Sequence, residues 1–200
     1  MRPSAVAGTA FVVGAVPWSN VMARRKAGVD LRSVGSGTVS GTGLFEVAGF
    51  APLAISGLAD VLKGAVGPVL AGRDRPVLAA VAGGLAVTGH NWSPFLRGSG
   101  GRGISPAIGA LGVTAWPGAV LLLGGLAAGR IARETALGSF VADAALVPVL
   151  FATHGRRGAI SAMCVATPML LKRVLGNRPL ERATWQGYRE RILFDRDPAS

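Results

Sequence analysis

The chain has 200 residues, half of them apolar and only 16% charged, and its mean hydropathy is positive. Soluble domains carry about 25% charged residues, so a water-soluble globule is a poor fit, and 30 glycines without a G-x-y period fit neither collagen nor a disordered tract. The formal net charge of +11 is carried by residues lying between apolar stretches. This pattern points away from nucleic acid and toward membrane topology, with anionic substrates or lipid headgroups as partners.

A bilayer span needs about 20 apolar residues, and the stretch 5–23 supplies one. Arg2 and the apolar run behind it loosely resemble a signal peptide, but six further apolar stretches follow. The first is therefore read as a retained transmembrane helix. A polar, glycine-rich loop occupies 24–43. The stretch 44–72 exceeds one span and is expected to be broken. Next come 77–92, a second glycine-rich basic loop at 93–103, and the apolar runs 104–116, 118–129, 135–151 and 158–171. The run 104–116 is short, so tilt or a half-helix is expected, and Pro117 suits the first position of the helix after it. The single Cys164 lies in an apolar run and reads as a core thiol.

The expected architecture is all-α, a polytopic transmembrane helical bundle of about seven segments over 1–175. A charged cytoplasmic tail follows at 176–200, of which 181–196 reads mostly as a solvated charge run. With the N-terminus outside, fifteen of the 21 Lys and Arg residues fall on the inner side, together with both glycine-rich loops and the C-terminus. The positive-inside rule then gives a multi-pass protein of the cell inner membrane with its active face cytoplasmic. No internal repeat suggests a transporter built from two halves.

Three stretches can carry chemistry. In the first loop, Gly35, Ser36 and Gly37 bare backbone N–H groups, with Arg32 and Thr38 beside them. A backbone nest with a forked guanidinium can hold phosphate; a flexible loop is the plain alternative. In the second, His90 and Asn91 precede Gly100, Gly101, Arg102 and Gly103, which open onto an apolar segment. A helix starting there would offer its N-terminus to an anion, although the Walker A spacing is absent. Third, Asp60 and Lys63 lie three apart in an apolar stretch and share a helical face. They form either a structural ion pair or the charged wall of a polar site. Ser139 and Asp143, four apart, also share a face. The two histidines, His90 and His154, are far apart in sequence, and no metal cluster or cofactor motif is legible.

In this order and spacing the stretches resemble the bacterial acyl-phosphate:glycerol-3-phosphate acyltransferases of the PlsY type. That family carries a loop D-[IL]-R-x-V-G-S-G-N-x-G-A-T-N, matched by the run 30–43, then D-x-x-K-G, matched by 60–64. Its G-H-N-F-P-x-F-L-x-F-K-G-G-K-G is matched by 89–103, and an Arg before a Ser-bearing helix start by Arg133 to Ser139. The sequence departs from the pattern at Thr38, at Ser99 and Arg102 (both Lys in the family), at Pro106, and in the C-terminal motif H-x-x-N-I-x-R-L-x-x-G-T-E. There Thr167, Leu170 and Pro179 replace the His, Asn and Glu.

The resemblance implies a seven-helix membrane enzyme that moves an acyl group from acyl phosphate to the 1-hydroxyl of glycerol 3-phosphate. The product is lysophosphatidic acid, for phospholipid synthesis, and no cofactor or metal is used. It further implies that Arg32, Ser36 and His90 serve catalysis. Substrate binding would fall to Gly35, Gly37, Thr38, Asp60, Lys63, Asn91, Gly100, Gly101, Arg102, Gly103 and Ser139. The partners implied are acyl phosphate, glycerol 3-phosphate and membrane lipid. The departures leave two alternatives open: a divergent member with another acyl acceptor, or a non-catalytic phosphate-binding membrane protein.

Overall fold

A computed structural model describes residues 1–35, 37–180 and 184–195. Among these the regular structure is helical: α1 (Pro3–Gly14), α2 (Trp18–Ala27), α3 (Gly41–Ala48), α4 (Phe50–Ala71), α5 (Pro76–Asn91), α6 (Ile104–Thr114), α7 (Trp116–Ile131), α8 (Thr135–Leu175) and α9 (Trp185–Phe194). The sequence marks its own boundaries. Pro3, Pro76 and Pro117 sit in the first turns of their helices, where the missing N–H costs nothing. Ser40 caps α3 by accepting from Gly43 N, and Thr184 caps α9 by accepting from Gly187 N. Gly28 ends α2 with a left-handed φ of 68°.

The 44–72 stretch is indeed broken, at Gly49 between α3 and α4. The first span is also broken, around Pro17 between α1 and α2, which the apolar run alone did not reveal. α8 is not one rod. At Gly155 the backbone takes φ 59°, ψ −149°. Arg173 Nε lies 3.3 Å from Asp143 Oδ2, although a straight helix would separate residues 30 apart by about 45 Å. The helix therefore folds back, and its arms 135–154 and 156–175 run antiparallel.

Pro3–Ala27, Phe50–Ala71 and Thr135–Leu175 are long and apolar enough to cross a membrane, while α6 and α7 are shorter apolar helices. Counting α1 with α2 as one crossing and α8 as two, the described residues cross seven times, with α4, α5, α6 and α7 as the others. One end of the bundle carries both glycine-rich loops. The other carries the 72–75 turn, the α6–α7 junction, the Gly155 turn and the N-terminus, where Arg75 donates to the Met1 carbonyl.

The core is a thin seam of small and branched residues. Val87, Leu111, Leu122, Leu146, Leu150 and Met169 form its centre, and Val6, Ala10, Ala71, Ala79 and Ala82 a second cluster. Large apolar side chains such as Phe50, Leu58, Leu62 and Val141 point outward, as lipid-facing positions should. A cavity of about 850 Å³ lies at the end away from the loops, among Val69, Val77, Val113, Trp116, Arg73 and Arg157.

Candidate active site between two glycine-rich loops

The first loop is locked before it reaches its glycines. Asp30 caps the 3₁₀ turn Leu31–Ser33 by accepting from Arg32 N, 3.0 Å, and buried Asn20 accepts from Leu31 N at 2.8 Å. Arg32 Nη2 lies 2.7 Å from Asp30 Oδ2, and Nη1 reaches the Leu96 carbonyl in the second loop at 3.4 Å. The Arg32 hydrogen bond holds the Asp30 carboxyl well below the usual carboxylate range, and Asp30 in turn raises Arg32. Both groups are therefore charged across the physiological range, and the pair fixes where the guanidinium sits.

The second loop folds onto the first. Val39 N donates to Gly100 O at 3.1 Å, and Gly101 N to His90 O at 3.2 Å. Ser93 Oγ donates to Ala15 O at 2.6 Å, and Asn91 Nδ2 to Pro168 O at 2.8 Å. A Cβ on Gly101 would lie 2.2 Å from His90 Nε2 and 2.8 Å from Val39 O. Only a residue without a side chain lets the loop pass there. Gly103 begins α6 at φ +83°, and a Cβ on it would strike Val87 and Asn91. The segment after Gly103 is helical, so its N-terminus does face the loop, as its position in the sequence implies.

Asp60 and Lys63 form a buried pair, 2.7 Å apart, and Lys63 Nζ also donates to Val16 O at 2.7 Å. The break around Pro17 brings that carbonyl into reach. Buried Ser19 bonds Asp60, and His90 Nδ1 lies 3.9 Å from Asp60 Oδ1. His90 thus sits between the ion pair and Gly101.

Of the remaining predicted residues, Gly37 and Thr38 are buried with the two loops while Gly35 is exposed. Ser36 lies outside the described residues. Arg102 is buried, but it faces the end of α8, donating to Lys172 O at 2.6 Å and pairing with Asp195. Ser139 does not reach the loops. Its hydroxyl accepts from Arg173, which also pairs with Asp143.

Three residues the sequence reading did not select turn out to matter. Asn177 Oδ1 accepts from Gly100 N, while its Nδ2 donates to Gly100 O at 2.8 Å and Gly37 O at 3.1 Å. Arg178 adds bonds to Arg32 O at 2.9 Å and Gly35 O at 3.4 Å. Lys172 is 1% exposed, with Nζ 5.1 Å from the centroid of the Trp92 ring. The tail is less solvated than its charges suggest: α9 packs on α8, and Arg191 is 2% exposed, donating to the Leu175 and Arg178 carbonyls. Asn177→Ala is expected to speed hydrogen exchange at the Val39 and Gly101 amides about tenfold, measured by mass spectrometry, as about one net hydrogen bond of local stability is lost.

Residues 5–177 match the family model described as glycerol-3-phosphate acyltransferase. Glycerol-3-phosphate acyltransferase 5 of Dehalococcoides mccartyi is 37% identical over 144 residues, 71% of this chain. The chain spans 61% of that relative's length. The glycerol-3-phosphate acyltransferase of Desulforudis audaxviator is 36% identical over 153 residues, 75% of this chain and 76% of the relative. In fold, the chain is similar to a crystal structure of PlsY, an integral membrane glycerol 3-phosphate acyltransferase, in its glycerol 3-phosphate form. The TM-score is 0.78 at 24% identity, over 86% of this chain and 88% of that one.

Proposed function

Because this chain belongs to the glycerol-3-phosphate acyltransferase family, we propose that it transfers a fatty acyl group from acyl phosphate to the 1-hydroxyl of glycerol 3-phosphate, producing lysophosphatidic acid. The observation that carries this reading is the joining of the two glycine-rich loops through Val39, Gly100 and Asn177, beside buried Lys63 and partly buried His90. With the Val39, Gly100 and Gly101 N–H groups engaged in joining the loops, such a place can hold phosphate through the N-terminus of α6 and nearby cations.

Acyl phosphate is an activated mixed anhydride. The acceptor oxygen bonds to the acyl carbon, the acyl carbon–phosphate oxygen bond breaks, and inorganic phosphate leaves. The hydroxyl proton passes to His90 or to the departing phosphate. The protein's task is to orient the hydroxyl and stabilise the developing oxyanion. By family resemblance, Arg32, Ser36 and the loop 100–103 do this, with Asp60 and Lys63 fixing the wall behind His90. The acyl chain lies between helices, where small residues leave room. The Lys and Arg asymmetry supports placing this end, and the C-terminus, at the cytoplasmic face of the inner membrane.

The test uses membranes containing the protein, with acyl phosphate and labelled glycerol 3-phosphate. Wild type is expected to form lysophosphatidic acid, and Ser36→Ala to lose at least about 100-fold of that rate, the scale for a group acting on the developing charge. No turnover by wild type, beside an active relative, would overturn the reading. Arg102 is engaged by Asp195 rather than free, which favours testing other polyol phosphates as acceptors in the same assay.

A further inference from the structure

Five basic side chains are buried within or beside the loop end of the bundle: Lys63, Arg102, Lys172, Arg173 and Arg191, the last donating to the Leu175 and Arg178 carbonyls. Three of them have a carboxylate: Asp60 for Lys63, Asp195 for Arg102 and Asp143 for Arg173. Lys172 has no carboxylate among the described residues. The contact described for its ammonium is the Trp92 ring face. The charge described as acting on Lys172 is that of Arg102, itself paired with Asp195. Arg102 bears electrostatically on Lys172, and Lys63 and Lys172 both bear on His90.

Its position is fixed from two sides. Arg102 Nη1 donates to the Lys172 backbone carbonyl, tying the second loop to this turn of α8. Trp92, which opens that loop, lies under the ammonium. Arg173, the next residue, diverges by about 100° around the helix and spends its charge between the two arms of α8. Its carboxylate therefore does not serve Lys172. A ring face offsets only part of the cost of removing an ammonium from water. A cation held this way, against the loop that leads into the N-terminus of α6, is matched when an anion is bound.

We propose that Lys172 is a phosphate ligand, its Nζ binding the phosphate group of one of the two substrates beside loop 92–103. The inference rests on the reading that phosphorylated substrates bind between the two loops. Both acyl phosphate and glycerol 3-phosphate present the required chemistry, and the experiment separates them.

The full chain, purified in detergent as wild type, Lys172→Met and Lys172→Arg, is titrated separately with glycerol 3-phosphate and with acyl phosphate. Melting temperatures are recorded, and KM is measured for each substrate. Lys172→Met is expected to weaken binding of one of the two about tenfold or more, the worth of one charge-assisted hydrogen bond. Its melting temperature should stay near wild type, and Lys172→Arg should recover most of the affinity. The substrate that shifts is the one whose phosphate Lys172 holds. Should Lys172→Met fail to fold, Lys172→Gln is read in the same way. Affinities within twofold of wild type for both substrates would overturn the proposal. A wild type that binds a phosphate through Lys172 yet transfers no acyl group would leave this assignment standing and sink only the reaction.

Discussion

Gly101→Ala is expected to lower kcat/KM for acyl transfer at least about 100-fold, a loss of about 2.7 kcal/mol of transition-state stabilisation. The added methyl carbon would lie 2.2 Å from His90 Nε2, 2.8 Å from Val39 O and 3.1 Å from His90 Cδ2. None of these can retreat cheaply. Val39 is held to Gly100 through its own N–H, and His90 O holds Gly101 N. The methyl must therefore either swing the imidazole away from Asp60 or part the loops. The clash is local and at one end of the bundle, so melting in detergent should fall far less than activity. A steady-state assay beside a thermal melt checks both, and activity within threefold of wild type would show that the loops are not the reacting site.

Gly64→Ala is expected to act the opposite way, on the fold rather than the chemistry. A Cβ on Gly64 would lie 1.9 Å from Pro106 O, and one on Gly109 would lie 1.8 Å from Val61 O. α4 and α6 thus press backbone to backbone at two reciprocal points, the close approach that small residues allow in membranes. Either substitution should destabilise the protein by about 3 kcal/mol, the upper range for overpacking. Gly57→Ala on α4 and Gly112→Ala on α6 are the controls, since a Cβ at those sites meets nothing within 4 Å. They should melt within a few degrees of wild type. Equal melting of all four variants would mean that the helices are free to move apart.

Much of this architecture was legible because membrane helices advertise themselves by composition. The separate runs 135–151 and 158–171 anticipate the fold-back of α8, since Arg156 and Arg157 interrupt the apolar pattern and Gly155 permits the reversal. The break inside 44–72 was legible by length. The break around Pro17 was not, because Val16 and Trp18 beside it and Val21 to Ala23 beyond it let 5–23 pass as one apolar span.

The site was legible where chemistry is local in sequence. Asp60 with Lys63, and the glycines of both loops, lie where the motifs put them. Asn177 and Arg178 could not be seen, since their bonds join residues 77 to 146 positions away. Lys172 and Arg173 carried no sign of burial in the sequence, because the apolar run ends at Leu171. The helix continues to Leu175, however, and turns both cations into the protein. Arg102 was legible as a buried loop cation, but its engagement by Asp195 depends on α9 packing back, which no local pattern announces.

The Asn177 bridge also has a consequence for how the protein is made. A ribosome delivers residues 28–40 and 92–103 to the membrane long before residue 177. Until then nothing ties Gly37 to Gly100 through a side chain. The crossings can all be threaded while the two loops are still separate, and the loops are joined through Asn177 only after the last crossing has been made. A chain ending at residue 176 would contain every crossing yet lack this tie, so insertion and the joining of the loops are distinct events in its biogenesis.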